Sequence, residues 1–109
     1  MVGLDVENTH DMSFDVDASD DGTVTVTLSG ELDMTNVDAL AAAVELALEQ
    51  EPERLIVEVQ DLSFADSSAI ALWVQWATKV PAIEMRDVRP LLRRVVESMG
   101  LTETLNLAP

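Results

Sequence analysis

The apolar residues of this chain change their period at Gly30, and that change restricts the fold more than any other feature of its 109 residues. Before Gly30 the spacing is two. "MSFDVDA" alternates through Met12, Phe14 and Val16, "SDDG" supplies a turn, and "TVTVTLSG" alternates through Val24, Val26 and Leu28. Asp21-Gly22 in that turn marks a β-hairpin. Beyond Gly30 the spacing becomes three and four: from Val37, the residues Leu40, Ala41, Val44, Ala47 and Leu48 form one stripe of an amphipathic helix. Thr35 is placed to be its N-cap, Asp38 suits the positive end of the helix dipole, and Pro52 in "EQEPE" stops it.

The remaining segments keep alternating between the two periods. "RLIVEV", with Leu55, Ile56, Val57 and Val59, reads as a central buried strand. "AIALWVQWATKV" is long enough for roughly three helical turns before Pro81, and "AIEM" is a short strand. "VRPLLRRVVESMG" is a closing amphipathic helix, with Pro90 in its first turn, Leu91, Leu92, Val95 and Met99 as its apolar stripe, and Gly100 as a left-handed cap. "ETLNL" reads as a last extended segment. The order β-β-α-β-α-β-α predicts an α/β fold, one layer of sheet covered by helices. Residues 1–11 are polar, acidic and aperiodic, and are expected to be a disordered tail. Residues 12–109, within a chain that is 48% apolar, suffice for a single domain with one core.

Composition removes several classes of function. Twenty-one acidic residues stand against six basic ones, a net charge of −15, which repels phosphate backbones and anionic membranes. Direct binding to nucleic acid or membrane is therefore not expected; the partner should be a protein. Met1 to Glu53 holds 14 acids and no Lys or Arg, whereas Arg86, Arg89, Arg93 and Arg94 crowd one short segment. That acidity is either a solvated, salt-adapted surface or an acidic docking face. Cysteine is absent, so thiol chemistry is impossible. The longest apolar runs, Ala39 to Val44 and Ala69 to Val74, are too short to span a membrane, and "MVGLDVENTH" lacks the features of a signal peptide. The protein is expected to be soluble and cytoplasmic, as a monomer or weak dimer.

Enzymatic readings find little support. The single histidine, His10, lies in the expected tail, so a serine nucleophile would lack a base. No metal-ligand pattern is present, and the four glycines are too dispersed for a phosphate-binding loop. No cofactor, metal or catalytic residue is expected. Asp33 and Asp66 each stand between a strand and a helix; if the two strands are parallel, both acids reach the same sheet edge, as helix caps or as an acid–base pair. Trp73 and Trp76, three apart on one helix, read either as core or as an exposed patch, with core expected for at least one.

"DLSFADSSAIALW" concentrates the remaining chemistry. Asp66, Ser67 and Ser68 stand where the buried strand gives way to an apolar helix, so either serine could cap that helix. A serine there is also exposed, and a phosphate on it would meet backbone N–H groups and a favourable dipole while placing a charge of roughly −1.5 to −2 beside Asp66.

Three segments together resemble the STAS domain, and within it the bacterial anti-sigma factor antagonists: "LSGELDMTNVDAL", "LIVEVQDLSFADSSA" and "RPLLRRVVESMGL". The resemblance spans roughly residues 12 to 107. It implies a STAS-like fold with a mixed sheet of four to five strands and helices packed on it. It implies no enzyme but a regulator of transcription, which binds an anti-sigma factor, often itself a serine kinase, and is switched off by phosphorylation until a phosphatase restores it. Carried over by position, Ser67 resembles the phosphoacceptor, Asp66 its acidic neighbour and Ser68 the second hydroxyl. Gly30, Glu31, Leu32, Asp33, Asp66, Ser67, Ser68 and Ala69 are then expected at the partner-binding edge. Ala69 departs from the family, which usually has glycine there, and stiffens the helix start by up to about 1 kcal/mol. The alternative within the same family is an accessory subunit of a phospholipid-transport ATPase complex.

Overall fold

The computed structural model describes residues 6–9 and 12–108, with side chains described from Met12 onward. Five strands form one sheet in sequence order: β1 (Val6–Thr9), β2 (Met12–Ala18), β3 (Thr23–Leu32), β4 (Arg54–Ala65) and β5 (Ala82–Arg86). The β1–β2 and β2–β3 pairs are antiparallel, whereas β3–β4 and β4–β5 are parallel, so the sheet is mixed. Parallel neighbours need a crossover, and α1 (Val37–Leu48) and α2 (Ser67–Ala77) supply the two. The predicted hairpin closes at Ser19 to Thr23, with Gly22 at φ 86°, a left-handed conformation that glycine adopts without strain.

Alternation in the strands decides the two faces of the sheet. Val24, Val26 and Leu28 of β3 and Leu55, Val57 and Val59 of β4 are buried with Leu40, Val44 and Leu48 of α1 and Ile70, Trp73 and Trp76 of α2. Both tryptophans belong to this core and neither forms an exposed patch. The opposite face carries Thr25, Thr27, Glu58 and the ion pairs of Glu84 with Arg54 and Arg86. None of the helices among the described residues is long and apolar enough to cross a membrane.

The structure corrects four local expectations. Val6–Thr9, placed by sequence in a disordered tail, is an edge strand on β2; its partnership is made by backbone hydrogen bonds, which side-chain periodicity does not register. The rest of residues 1–11 lies outside the described residues. The strand read in "RLIVEV" continues to Ala65, because β4 holds a pairing with β3 through two register shifts that break its alternation. "ETLNL" is not extended: Thr102–Leu105 forms α4, one turn that buries Leu105, and only Leu107 bridges to Met85 of β5. Finally, α3 (Pro90–Ser98) starts at Pro90 and is followed by left-handed Gly100 as expected, but of the expected stripe Leu91, Leu92, Val95 and Met99 only Leu92 packs on the core, where Val96 joins it. Val96 is wholly buried and Leu92 partly so, whereas Leu91, Val95 and Met99 face solvent.

This difference has a direct test in urea unfolding. Val96→Ala should lower stability by about 2 kcal/mol through lost burial and a residual cavity. Leu91→Ala should stay within about 0.5 kcal/mol of the parent, as surface substitutions do.

Candidate functional site

The two parallel strands finish level, with Leu32 opposite Ala65. The residues that follow, Asp33 and Asp66, therefore stand at the same sheet edge, the place where open α/β sheets gather their functional groups. Just before it, Gly30 at φ 91° sits at a register shift and accepts a hydrogen bond from the Ser63 hydroxyl on its carbonyl, at 3.0 Å.

From Asp33 the chain turns tightly into α1. One Asp33 carboxylate oxygen accepts from the backbone N–H of Thr35 at 2.9 Å and from its hydroxyl at 2.6 Å. Thr35 is thus spent on Asp33 and is not the N-cap; that position falls to Asn36. The Asn36 amide is buried, and it turns back to accept from the Asp33 N–H at 3.0 Å and to donate to the Glu31 carbonyl at 2.8 Å. This side chain closes the loop over residues 31–36.

Asp66 joins that loop to α2. It is the N-cap, with an extended backbone, and its Oδ1 accepts from the Ser68 N–H at 2.9 Å, the Ala69 N–H at 3.3 Å and the Ser68 hydroxyl at 2.5 Å. Its Oδ2 accepts from the Met34 N–H at 3.3 Å, and its own N–H donates to the Leu32 carbonyl at 3.2 Å. The Ser68 hydroxyl above all, helped by the N–H groups of Ala69, Ser68 and Met34 and opposed by partial burial, holds the Asp66 carboxyl below the usual carboxylate range. A general acid near neutral pH needs the opposite shift, so the arrangement suits a fixed charge and a cap rather than proton transfer.

The two serines have different situations. Ser68 is half-buried and its hydroxyl is committed to Asp66. Ser67, the first residue of α2, is exposed, and its hydroxyl makes no hydrogen bond among the described residues. The N–H groups of Ser68 and Ala69, open to a phosphate on the sequence reading, are already taken by Asp66, so an added phosphate would act there mainly as charge.

Of the residues expected at the partner edge, Glu31 and Ser67 are exposed, and Gly30, Asp33, Asp66 and Ser68 are half-buried. Leu32 and Ala69 are fully buried, so their side chains face the core and set the edge without being presented on it. The structure adds Met34, 74% exposed and tied by its N–H to Asp66. Its signal in the sequence was slight: an apolar residue between strand and helix that belongs to neither period. Among the described residues no group of His, Cys, Asp and Glu is arranged to hold a metal ion.

Residues 16–108 match the family model described as "Mlab, STAS domain". The chain belongs to the STAS-domain family. Its fold is similar to an anti-sigma factor antagonist from Mycobacterium paratuberculosis, with a TM-score of 0.81 at 25% identity over 90% of this chain and 86% of that one. It is also similar to the anti-sigma factor antagonist SpoIIAA in its unphosphorylated form, with a TM-score of 0.74 at 26% identity and 88% of each chain covered. For the phosphorylated form of SpoIIAA, the Bacillus cell fate determinant, the TM-score is 0.68 at 26% identity, covering 88% of this chain and 91% of that one. Among curated proteins no match is found.

Asp66→Ala removes the cap of this STAS domain's α2 and should cost about 1 kcal/mol in urea unfolding at neutral pH. Because the folded carboxyl lies below its unfolded value, the stability it contributes is present above about pH 3.9 and is lost as pH falls through the folded value. The stability gap between parent and Asp66→Asn should accordingly be open at pH 7 and close in more acid solution.

Proposed function

We propose that this STAS domain is a cytoplasmic anti-sigma factor antagonist that binds an anti-sigma factor of the serine-kinase type and is switched off by phosphorylation of Ser67. The observation that carries the reading is the division of labour between the two serines. Ser68 is built into the helix cap, while Ser67 stands exposed beside a charged carboxylate, with a hydroxyl that has no hydrogen-bond partner among the described residues. A kinase can reach Ser67 without opening the fold. The similarity to antagonists whose structures are known, one of them in a phosphorylated form, supports the same reading.

The mechanism is electrostatic exclusion. Ser67 phosphate brings about −1.5 to −2 charge next to Asp66 and near the Asp33 turn, on a chain already at −15. A partner surface that accommodates one carboxylate at this edge then faces a dense anionic cluster, and any acidic group on that surface is repelled. Gly30, Glu31, Asp33, Asp66, Ser67 and Ser68, together with Met34, form the contact edge, shaped from beneath by Leu32 and Ala69. The domain itself acts as a binding module, not as an enzyme. A phosphatase is needed to reverse the state.

Pull-down from the native cell with mass spectrometry tests both halves of the proposal, and should recover an anti-sigma kinase and a phosphate on Ser67. With that partner in hand, Ser67→Asp should weaken binding by about tenfold or more, and Ser67→Ala should leave it intact. Equal affinities for the two variants would count against the switch. Recovery of a membrane ATPase complex with Ser67 unmodified would favour the phospholipid-transport subunit instead.

A further inference from the structure

A groove of about 450 Å³ lies between the end of β4 and the start of α3, and Ser67 is not among its lining residues. Its walls are formed by Leu62, Phe64, Ala65, Leu91, Leu92 and Val95, and its one charged lining residue is Arg89. The fold leaves it open for a definite reason. Pairing of β4 with β5 ends at Glu58 opposite Arg86, so residues 59–65 have no strand neighbour on that side among the described residues. Only α3 approaches, anchored by the Arg89 guanidinium on the Gln60 carbonyl at 2.8 Å. Large apolar side chains are left in water along both walls: Phe64 is 52% exposed, Leu91 72% and Val95 38%.

Charge indicates the occupant. Arg89, Arg93 and Arg94 form no ion pair among the described residues; Arg89 and Arg93 instead bond to the carbonyls of Gln60 and Ala108. Arg89 therefore lines the apolar groove as a cation without an ion pair, and exposed Arg94, three residues beyond Leu91 on α3, adjoins it, on a chain whose net charge is −15. An acidic segment is repelled over most of this molecule, and this rim is where it is attracted. A second copy of the chain brings the same large negative charge as a whole, which opposes self-association. A nucleic-acid strand is disfavoured by that same field and by the lack of stacking rings other than Phe64.

We infer that this groove is a docking site for a partner-protein segment that carries large apolar anchors flanked by Asp or Glu, the anchors filling the space between Phe64, Leu91 and Val95 and the carboxylates meeting Arg89 and Arg94. Ser67 does not line the groove, and the inference stands whether or not Ser67 is modified.

Selection from a phage-displayed library of random peptides about 12 residues long against the full chain, with counter-selection against Leu91→Asp, tests it. Leu91 is exposed, so the variant should fold; Phe64→Ser serves as a second counter-target. Enriched peptides should combine two or three large apolar residues with net negative charge. The synthesised winner should lose about tenfold or more in affinity for Leu91→Asp and for Arg94→Glu, and should bind Ser67→Asp as it binds the parent. Winners that are net basic, winners indifferent to the groove substitutions, or no winner surviving counter-selection would overturn the inference. So would sedimentation showing a self-association that Leu91→Asp abolishes, since a second copy would then own the groove.

Discussion

The pairing of β3 with β4 is the constraint on which the functional edge depends. Over their shared run β4 contains 12 residues and β3 contains 10. At about 3.3 Å per residue, an unbulged β4 would carry Asp66 about 7 Å beyond Asp33. The register shifts, one before Asp61 and one before Phe64, absorb that excess and bring the two strands to a common end. Only then does the Met34 N–H come within reach of the Asp66 carboxylate. The same shifts return Leu62 to the core and turn Phe64 to solvent, so the loop junction and the apolar groove have one origin.

Much of the architecture was legible because most segments bury a single face. β2, β3, α1 and α2 each present one apolar row, and burial follows it. Legibility failed where two rows compete or where backbone alone makes the contact. α3 carries Leu91–Val95–Met99 beside Leu92–Val96; spacing identifies a helix, but which row meets the sheet depends on the approach imposed by Pro90 and the Arg89 contact. In β1 the association is made by main-chain groups, for which "VENT" offers no side-chain signature. The end of β4 was missed because bulges erase the alternation by which strands are recognised.

The site was legible as a motif and illegible as a division of roles. Asp66, Ser67 and Ser68 are polar residues between a strand and a helix, and that much follows from order. Which residue caps the helix is a matter of rotamer and distance: the cap is the aspartate, which draws Ser68 to itself and leaves Ser67 outside the network. Ala69 also changes meaning. Its methyl group is wholly buried, so its departure from the family's glycine adds core contact and helix propensity at the first turn without altering the exposed surface.

A regulatory charge is tolerated only where folding does not rely on the group that receives it. The parent hydroxyl of Ser67 contributes no hydrogen bond among the described residues, so its modification removes nothing from the native state. Modifying Ser68 would be different: it would break the bond that most depresses the Asp66 carboxyl and would crowd two anions about a half-buried cap. The capping network therefore partitions the two adjacent hydroxyls, one committed to the fold and one outside it. With Asp66 fixed by four donors from Ser68, Ala69 and Met34, a new charge at Ser67 cannot be relieved by swinging the carboxylate aside without giving up the α2 cap and the tie to the α1 loop. On the proposed function, that rigidity would turn a single modification on an exposed side chain into a change across the whole edge.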